Sequence, residues 1–189
     1  MYKIAILFLV ILLGCSQKKN PKLIHTPTGI DSIQNWETLK RRQAFQPNKI
    51  AFCFISYDKE CPLCKYYSSV IRKIADTFNT KGIQFVLLHL TEFKDSNNLW
   101  DSKSIQKLWD KEKVFINILD MTVTPEVVLV GKNGEIIYRG KIDDRAMDSN
   151  RHKLNAISFY LKDVLWDICN GKKGKHIYTK ASGCYIEKP

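Results

Sequence analysis

Uninterrupted apolar runs mark the two strongest elements. Residues 50–57 open with Ile50-Ala51-Phe52-Cys53-Phe54-Ile55, and residues 83–90 read Ile-Gln-Phe-Val-Leu-Leu-His-Leu. Both have the length and composition of buried strands. Between them Val70, Ile71, Ile74 and Phe78 recur at helical spacing, which predicts a helix over 62–78 that stops at Lys81-Gly82. Strand, helix, strand at these lengths is a βαβ unit with parallel pairing. Upstream, Ile33, Trp36 and Leu39 predict a weak helix over 31–45, ended by Pro47-Asn48. Downstream, residues 91–98 are a polar loop. Ile105, Leu108 and Trp109 predict a helix over 99–113, and 114–119 reads as a short extended piece. Two strands, 126–130 and 135–141, flank the Asn133-Gly134 turn of a hairpin. Leu154, Ile157, Leu161, Val164, Leu165 and Ile168 predict an amphipathic helix over 151–169. No internal repeat is present.

The 189 residues suffice for one sizeable core. Residues 1–14 are expected to stand outside it as a lipoprotein signal peptide. A short positive head precedes an apolar run too short to span a bilayer, and the run ends in Leu12-Leu13-Gly14-Cys15. That ending resembles the lipobox of bacterial lipoproteins, in which the cysteine, here Cys15, is acylated and becomes the new N-terminus. The implied location is the cell envelope, lipid-anchored and facing the periplasm, with Ser16 leaning towards the outer membrane. Residues 15–30, polar and holding Pro21, Pro27 and Gly29, are expected as a tether, 31–170 as the folded domain and 171–189 as a basic tail.

The formal net charge of +11 comes from dispersed lysines and arginines. Without a basic helix carrying interleaved aromatics, nucleic-acid binding is disfavoured, and solubility or attraction to anionic surfaces is the simpler reading. Export also changes the meaning of the cysteines, since disulfides persist outside the cytoplasm. Cys61-Pro62-Leu63-Cys64 falls where the first strand hands over to the helix. Unpaired backbone N–H groups and the positive end of the helix dipole favour a thiolate there, and the thiolate is the nucleophile. Pro62 suits a first helical position. Lys65 in place of histidine excludes the usual haem attachment, and Cys169 and Cys184 are too far apart to complete a zinc ribbon. No metal and no cofactor is expected.

The order strand, Cys-x-x-Cys helix, strand, helix, Thr124-Pro125, hairpin, helix resembles the thioredoxin fold, an α/β architecture with a central mixed sheet flanked by helices. Over residues 30–169 the chain is similar to the redoxin branch of that superfamily. Gly134-Glu135-Ile136-Ile137-Tyr138-Arg139-Gly140, Ile142-Asp143-Asp144-Arg145 and Gly183-Cys184-Tyr185-Ile186 add to the likeness. The resemblance implies thiol–disulfide exchange with Cys61 as attacking and Cys64 as resolving sulfur. It also implies a cis Pro125, with the Thr124 backbone turned towards the sulfurs to receive a substrate strand. The expected partners are protein disulfides or dithiols, with a membrane electron donor if the protein acts as a reductase.

Two departures stand out. Glu60 occupies the place of a tryptophan, and Ile55 that of a buried acid. Glu60 acts against the Cys61 thiolate while Lys59 and Lys65 act for it. A thiol peroxidase is the first alternative, but Asp58 and Phe54 replace the threonine and proline of peroxidatic sites. Copper delivery is the second, with wider cysteine spacing in known cases and no motif around His152 or His176. His25 and His89 read as surface or strand-end residues. Cys53 reads as an inert core residue. Cys169 and Cys184 are expected either to form a structural disulfide or to supply Cys184 as an accessory redox thiol near Cys61.

Overall fold

The apolar run at 50–57 becomes the centre of the sheet. A computed structural model describes residues 22–24, 32–34, 36–42, 45–92, 100–148, 151–172 and 178–187. Cys15 and the leader lie outside the described residues. The elements, in chain order, are β1 (Lys22–Ile24), β2 (Ser32–Gln34), α1 (Trp36–Arg42), β3 (Ala51–Tyr57), α2 (Pro62–Asn79), β4 (Ile83–His89) and β5 (Ile105–Trp109). Then follow α3 (Val114–Ile118), β6 (Val123–Thr124), β7 (Val127–Gly131), β8 (Ile136–Gly140), α4 (Tyr160–Cys169) and β9 (Cys184–Tyr185). The main sheet has the order β5-β4-β3-β7-β8. β3, β4 and β5 run parallel, while β7 and β8 pair antiparallel, so the sheet is mixed as expected.

Every residue of β3, β4 and β7 is buried, because the sheet is covered on both faces. Side chains alternate between faces along a strand. Cys53, Ile55 and Tyr57 join Phe85, Leu87, Val127 and Leu129 beneath α2 and α4. Phe52, Phe54, Val86, Leu88, Val128 and Val130 point the other way, onto α1 and α3. There Trp36 meets Phe52 edge-on at 5.3 Å, and Phe54 stacks on Phe115 at 5.6 Å. The hairpin carries a bulge: Leu129 faces Tyr138 while Val130 faces Ile136, leaving Ile137 as the extra residue.

Several elements differ from expectation. The 99–113 helix is instead β5, parallel to β4. Three apolar residues spaced i, i+3 and i+4 within five positions do not distinguish the two periods, and an open sheet edge decides the matter. The extended piece at 114–119 is α3. Its first N–H groups are capped by the Asp110 carboxylate, which accepts from Phe115 N at 3.1 Å and Ile116 N at 2.9 Å. The 151–169 helix begins at Tyr160, and Leu154 and Ile157 stand 87% and 81% exposed. Ile157 and Ser158 are bound by the Asp144 carboxylate in a loop. The weak N-terminal helix shortens to α1, preceded by a β1–β2 hairpin whose first strand lies in the stretch expected as a tether.

Candidate redox site

Ile55 pairs with Val127, so the turn just before β7 sits beside the end of β3, where the chain enters α2. That register brings Thr124-Pro125 to Cys61. Cys61 is the N-cap of α2 and Pro62 its first residue. The Thr124–Pro125 bond is cis, as the resemblance implies. The Cys61 thiol donates to the Thr124 carbonyl at 3.0 Å. Cys64 lies one turn into α2 and is fully buried.

Ser56 and Glu126 hold the turn. Ser56 Oγ donates to the Val123 carbonyl at 2.7 Å and accepts from Glu126 N at 2.9 Å, and Ser56 N donates to the Glu126 carbonyl at 3.0 Å. The buried Glu126 carboxylate accepts from Thr122 N at 2.7 Å and reaches Val123 N, while burial raises its pKa. Neither residue was singled out from the sequence. The available signal was a lone polar residue in an otherwise apolar strand, which must find partners when buried.

Cys61 is held far below the ordinary thiol range, at about 4. The largest cause is the neighbouring Cys64 thiol, opposed by burial and reinforced by the Cys184 thiol and the backbone at the start of α2. Neighbouring thiols, rather than Lys59, Lys65 or Glu60, therefore decide the balance. Burial pushes Cys64 up, and so does the negative sulfur of Cys61 beside it. The two sulfurs are thus pushed in opposite directions, Cys61 down and Cys64 up.

One turn beyond Cys64, Tyr67 ties α2 to the loop after β8. Its hydroxyl donates to Asp143 Oδ1 at 2.7 Å and accepts from Ala146 N at 3.0 Å. Asp143 also accepts from Arg145 N at 3.0 Å and Nε at 2.9 Å, and the guanidinium lies over the Tyr66 and Tyr67 rings. The Ile142–Arg145 segment thus braces α2.

Cys184 lies beside Cys61, their sulfurs 2.9 Å apart, whereas Cys169 contacts the Lys81 carbonyl at 3.9 Å. Both are free thiols in this structure, and Cys184 rather than Cys169 stands beside Cys61. Cys53 is buried in β3 as a free thiol, with its pKa raised by burial. Cys61 is only 1% exposed, with β9 paired alongside Thr124. Among the described residues no group of three or more His, Cys, Asp and Glu is arranged to hold a metal. His152 stacks against Tyr66 at 3.7 Å, His89 is buried against Tyr57, and His25 and His176 lie outside the described residues.

The chain is similar in fold to a hypothetical protein from Sinorhizobium meliloti, with a TM-score of 0.66, 14% identity and coverage of 89% of this chain and 91% of that one. An uncharacterized conserved protein from Geobacillus kaustophilus overlays with a TM-score of 0.60 at 16% identity, covering 77% and 81%. A secreted disulfide oxidoreductase of Mycobacterium tuberculosis gives a TM-score of 0.44 at 14% identity, covering 68% and 85%. No curated protein matches in sequence. The family described as thioredoxin-like domain matches residues 40–149, more than half of the length, and the chain belongs to that family.

Proposed function

We propose that the protein is a membrane-anchored, extracytoplasmic thiol–disulfide oxidoreductase acting on protein disulfides through Cys61 and Cys64. The observation that carries this reading is the placement of the Cys61 sulfur at the N-cap of α2, one turn before Cys64 and beside the cis Thr124–Pro125 bond. The Cys61 thiolate attacks one sulfur of a substrate disulfide. A Cys61–substrate bond forms, the substrate S–S bond breaks, and the departing thiolate takes up a proton. Bonding removes the charge on Cys61 that had helped hold Cys64 protonated. Cys64 then loses its proton and attacks Cys61, forming Cys61–Cys64 and releasing the second substrate thiol. Run backwards, the same steps oxidise a dithiol. As a reductase the protein requires a membrane electron donor to restore the two thiols.

Insulin-disulfide reduction tests the chemistry. Cys61→Ser abolishes turnover, and protein carrying both Cys64→Ser and Cys184→Ser stalls at the mixed disulfide. Full turnover by the Cys61→Ser protein rules the mechanism out. The anchor reading rests on the Leu-Leu-Gly-Cys15 ending, with residues 1–14 as leader and 15–30 as tether. Cys15→Ala should abolish incorporation of labelled palmitate and move the protein from the membrane to the soluble fraction. Unchanged labelling counts against the lipid anchor.

A further inference from the structure

The tail lies where a substrate peptide would. β9 pairs antiparallel with β6, Cys184 opposite Thr124 and Tyr185 opposite Val123. An extended segment laid against the strand beside the reactive sulfur is the geometry of peptide recognition by strand addition. The approach is at backbone distance: a Cβ at Gly183 would stand 2.1 Å from the Thr124 carbonyl oxygen, so no larger residue fits there without moving the strand. Anchors hold both sides of it. Thr179 N donates to the Arg139 carbonyl at 2.9 Å, and Thr179 Oγ1 meets the Tyr138 hydroxyl at 2.7 Å and accepts from Lys141 N at 2.8 Å. Gly140 leaves room for this crossing, since a Cβ there would lie 1.9 Å from the Thr179 carbonyl oxygen. On the far side Ile186 N donates to the Thr122 carbonyl at 2.9 Å, and its side chain is buried in the Trp36–Phe54 core. Between the anchors, Cys184 Sγ is 2.9 Å from Cys61 Sγ, while Tyr185 points to solvent, 89% exposed.

We propose that Cys184 is a third redox thiol, and that the strand carrying it is an on-board substrate that exchanges with Cys61 and shields it from external disulfides. The proposal rests on Cys61 being the exchange nucleophile. In the oxidised protein, the Cys184 thiolate attacks Cys61 Sγ of the Cys61–Cys64 disulfide. Cys61–Cys184 forms, Cys61–Cys64 breaks, and Cys64 leaves as a thiolate that takes the proton given up by Cys184. The disulfide count is unchanged, so no outside oxidant is consumed. An external substrate must displace the strand before reaching Cys61. Because the strand is tethered, its local concentration is on the order of millimolar, far above a dilute protein substrate.

Full-length Cys64→Ser protein, equilibrated with oxidised and reduced glutathione and mapped by non-reducing peptide mass analysis, tests this. Oxidised glutathione first joins Cys61, releasing one glutathione thiol, and Cys184 then displaces the second. The expected product is an intramolecular Cys61–Cys184 linkage with little glutathione retained. Adding Cys184→Ser should leave Cys61 glutathionylated and, in reduced protein without glutathione, raise trapping of insulin at about 10 µM by up to roughly a hundredfold. Gly183→Val, which lifts the strand but keeps the thiol, should raise trapping in the same direction. Persistent glutathionylation of Cys64→Ser protein, or trapping of insulin that is measurable and equal with and without Cys184, overturns the proposal. A Cys61–Cys184 linkage with no insulin trapped in either background supports the tail chemistry and counts instead against exchange with outside proteins.

Discussion

Ionisation of Cys61 is set by neighbours within reach of its sulfur, and this makes it sensitive to pH in a definite direction. Its ordinary value is 9.0 and its folded value about 4. An acid lowered by folding favours the fold above its ordinary value, and the benefit is lost as pH falls towards the folded one. Reduced protein should therefore gain resistance to urea, relative to Cys61→Ser, as pH rises from about 4 to about 9. A constant difference between the two proteins across that window refutes a folded-state thiolate. Ser56→Ala strands the Val123 carbonyl and the Glu126 N–H in the interior, a loss of about 1–3 kcal/mol per unsatisfied group, read from the urea midpoint at unchanged slope. Cys61, Cys64 and Thr124-Pro125 were legible because a short spacing, a strand-to-helix junction and a dipeptide carried them. Ser56 and Glu126 were not, since their partners lie 67 and 70 residues away from Ser56 in sequence.

Among the elements, β3 and β4 were readable from uninterrupted apolar runs, α2 from helical spacing sustained over several turns, and the β7–β8 hairpin from its Asn133-Gly134 turn. β5 and α3 were not. Five residues of either period look alike, and α3 contains Val114, Ile116 and Ile118, β-branched residues that favour strands until packing and the Asp110 cap override them. α4 was overextended for a related reason: Leu154 and Ile157 continue its apolar spacing, but the Asp144 carboxylate takes the backbone out of the helix. The brace between α2 and the 142–146 loop makes its own prediction. Tyr67→Phe leaves Ala146 N without its partner and Asp143 with one donor fewer. It should cost about 1–3 kcal/mol and speed amide exchange at Ala146, whereas unchanged exchange would detach the brace from the loop.

For the molecule as a whole, the sheet divides the interior into two cores, and the redox site belongs to one of them. Phe54 lies on the opposite face among Trp36, Phe45 and Phe115. Phe54→Ala should lower stability by about 3–5 kcal/mol while the surviving folded fraction keeps its Cys61 reactivity. Loss of reactivity in proportion greater than loss of folded protein would show that the two cores are coupled. The long-range path of the tail was the feature least visible in advance, because a strand of two residues has no period to read.

The bulge in β8 has a consequence for how the hairpin tolerates change. Ile136 and Tyr138 are two positions apart and would ordinarily share a face, yet they serve opposite cores because Ile137 is skipped by the ladder. Removing Ile137 would make these two residues adjacent and restore simple alternation, with neither side chain turned to the wrong layer. A one-residue deletion inside a strand normally inverts everything on one side of it; here it should yield a folded protein with an even ladder.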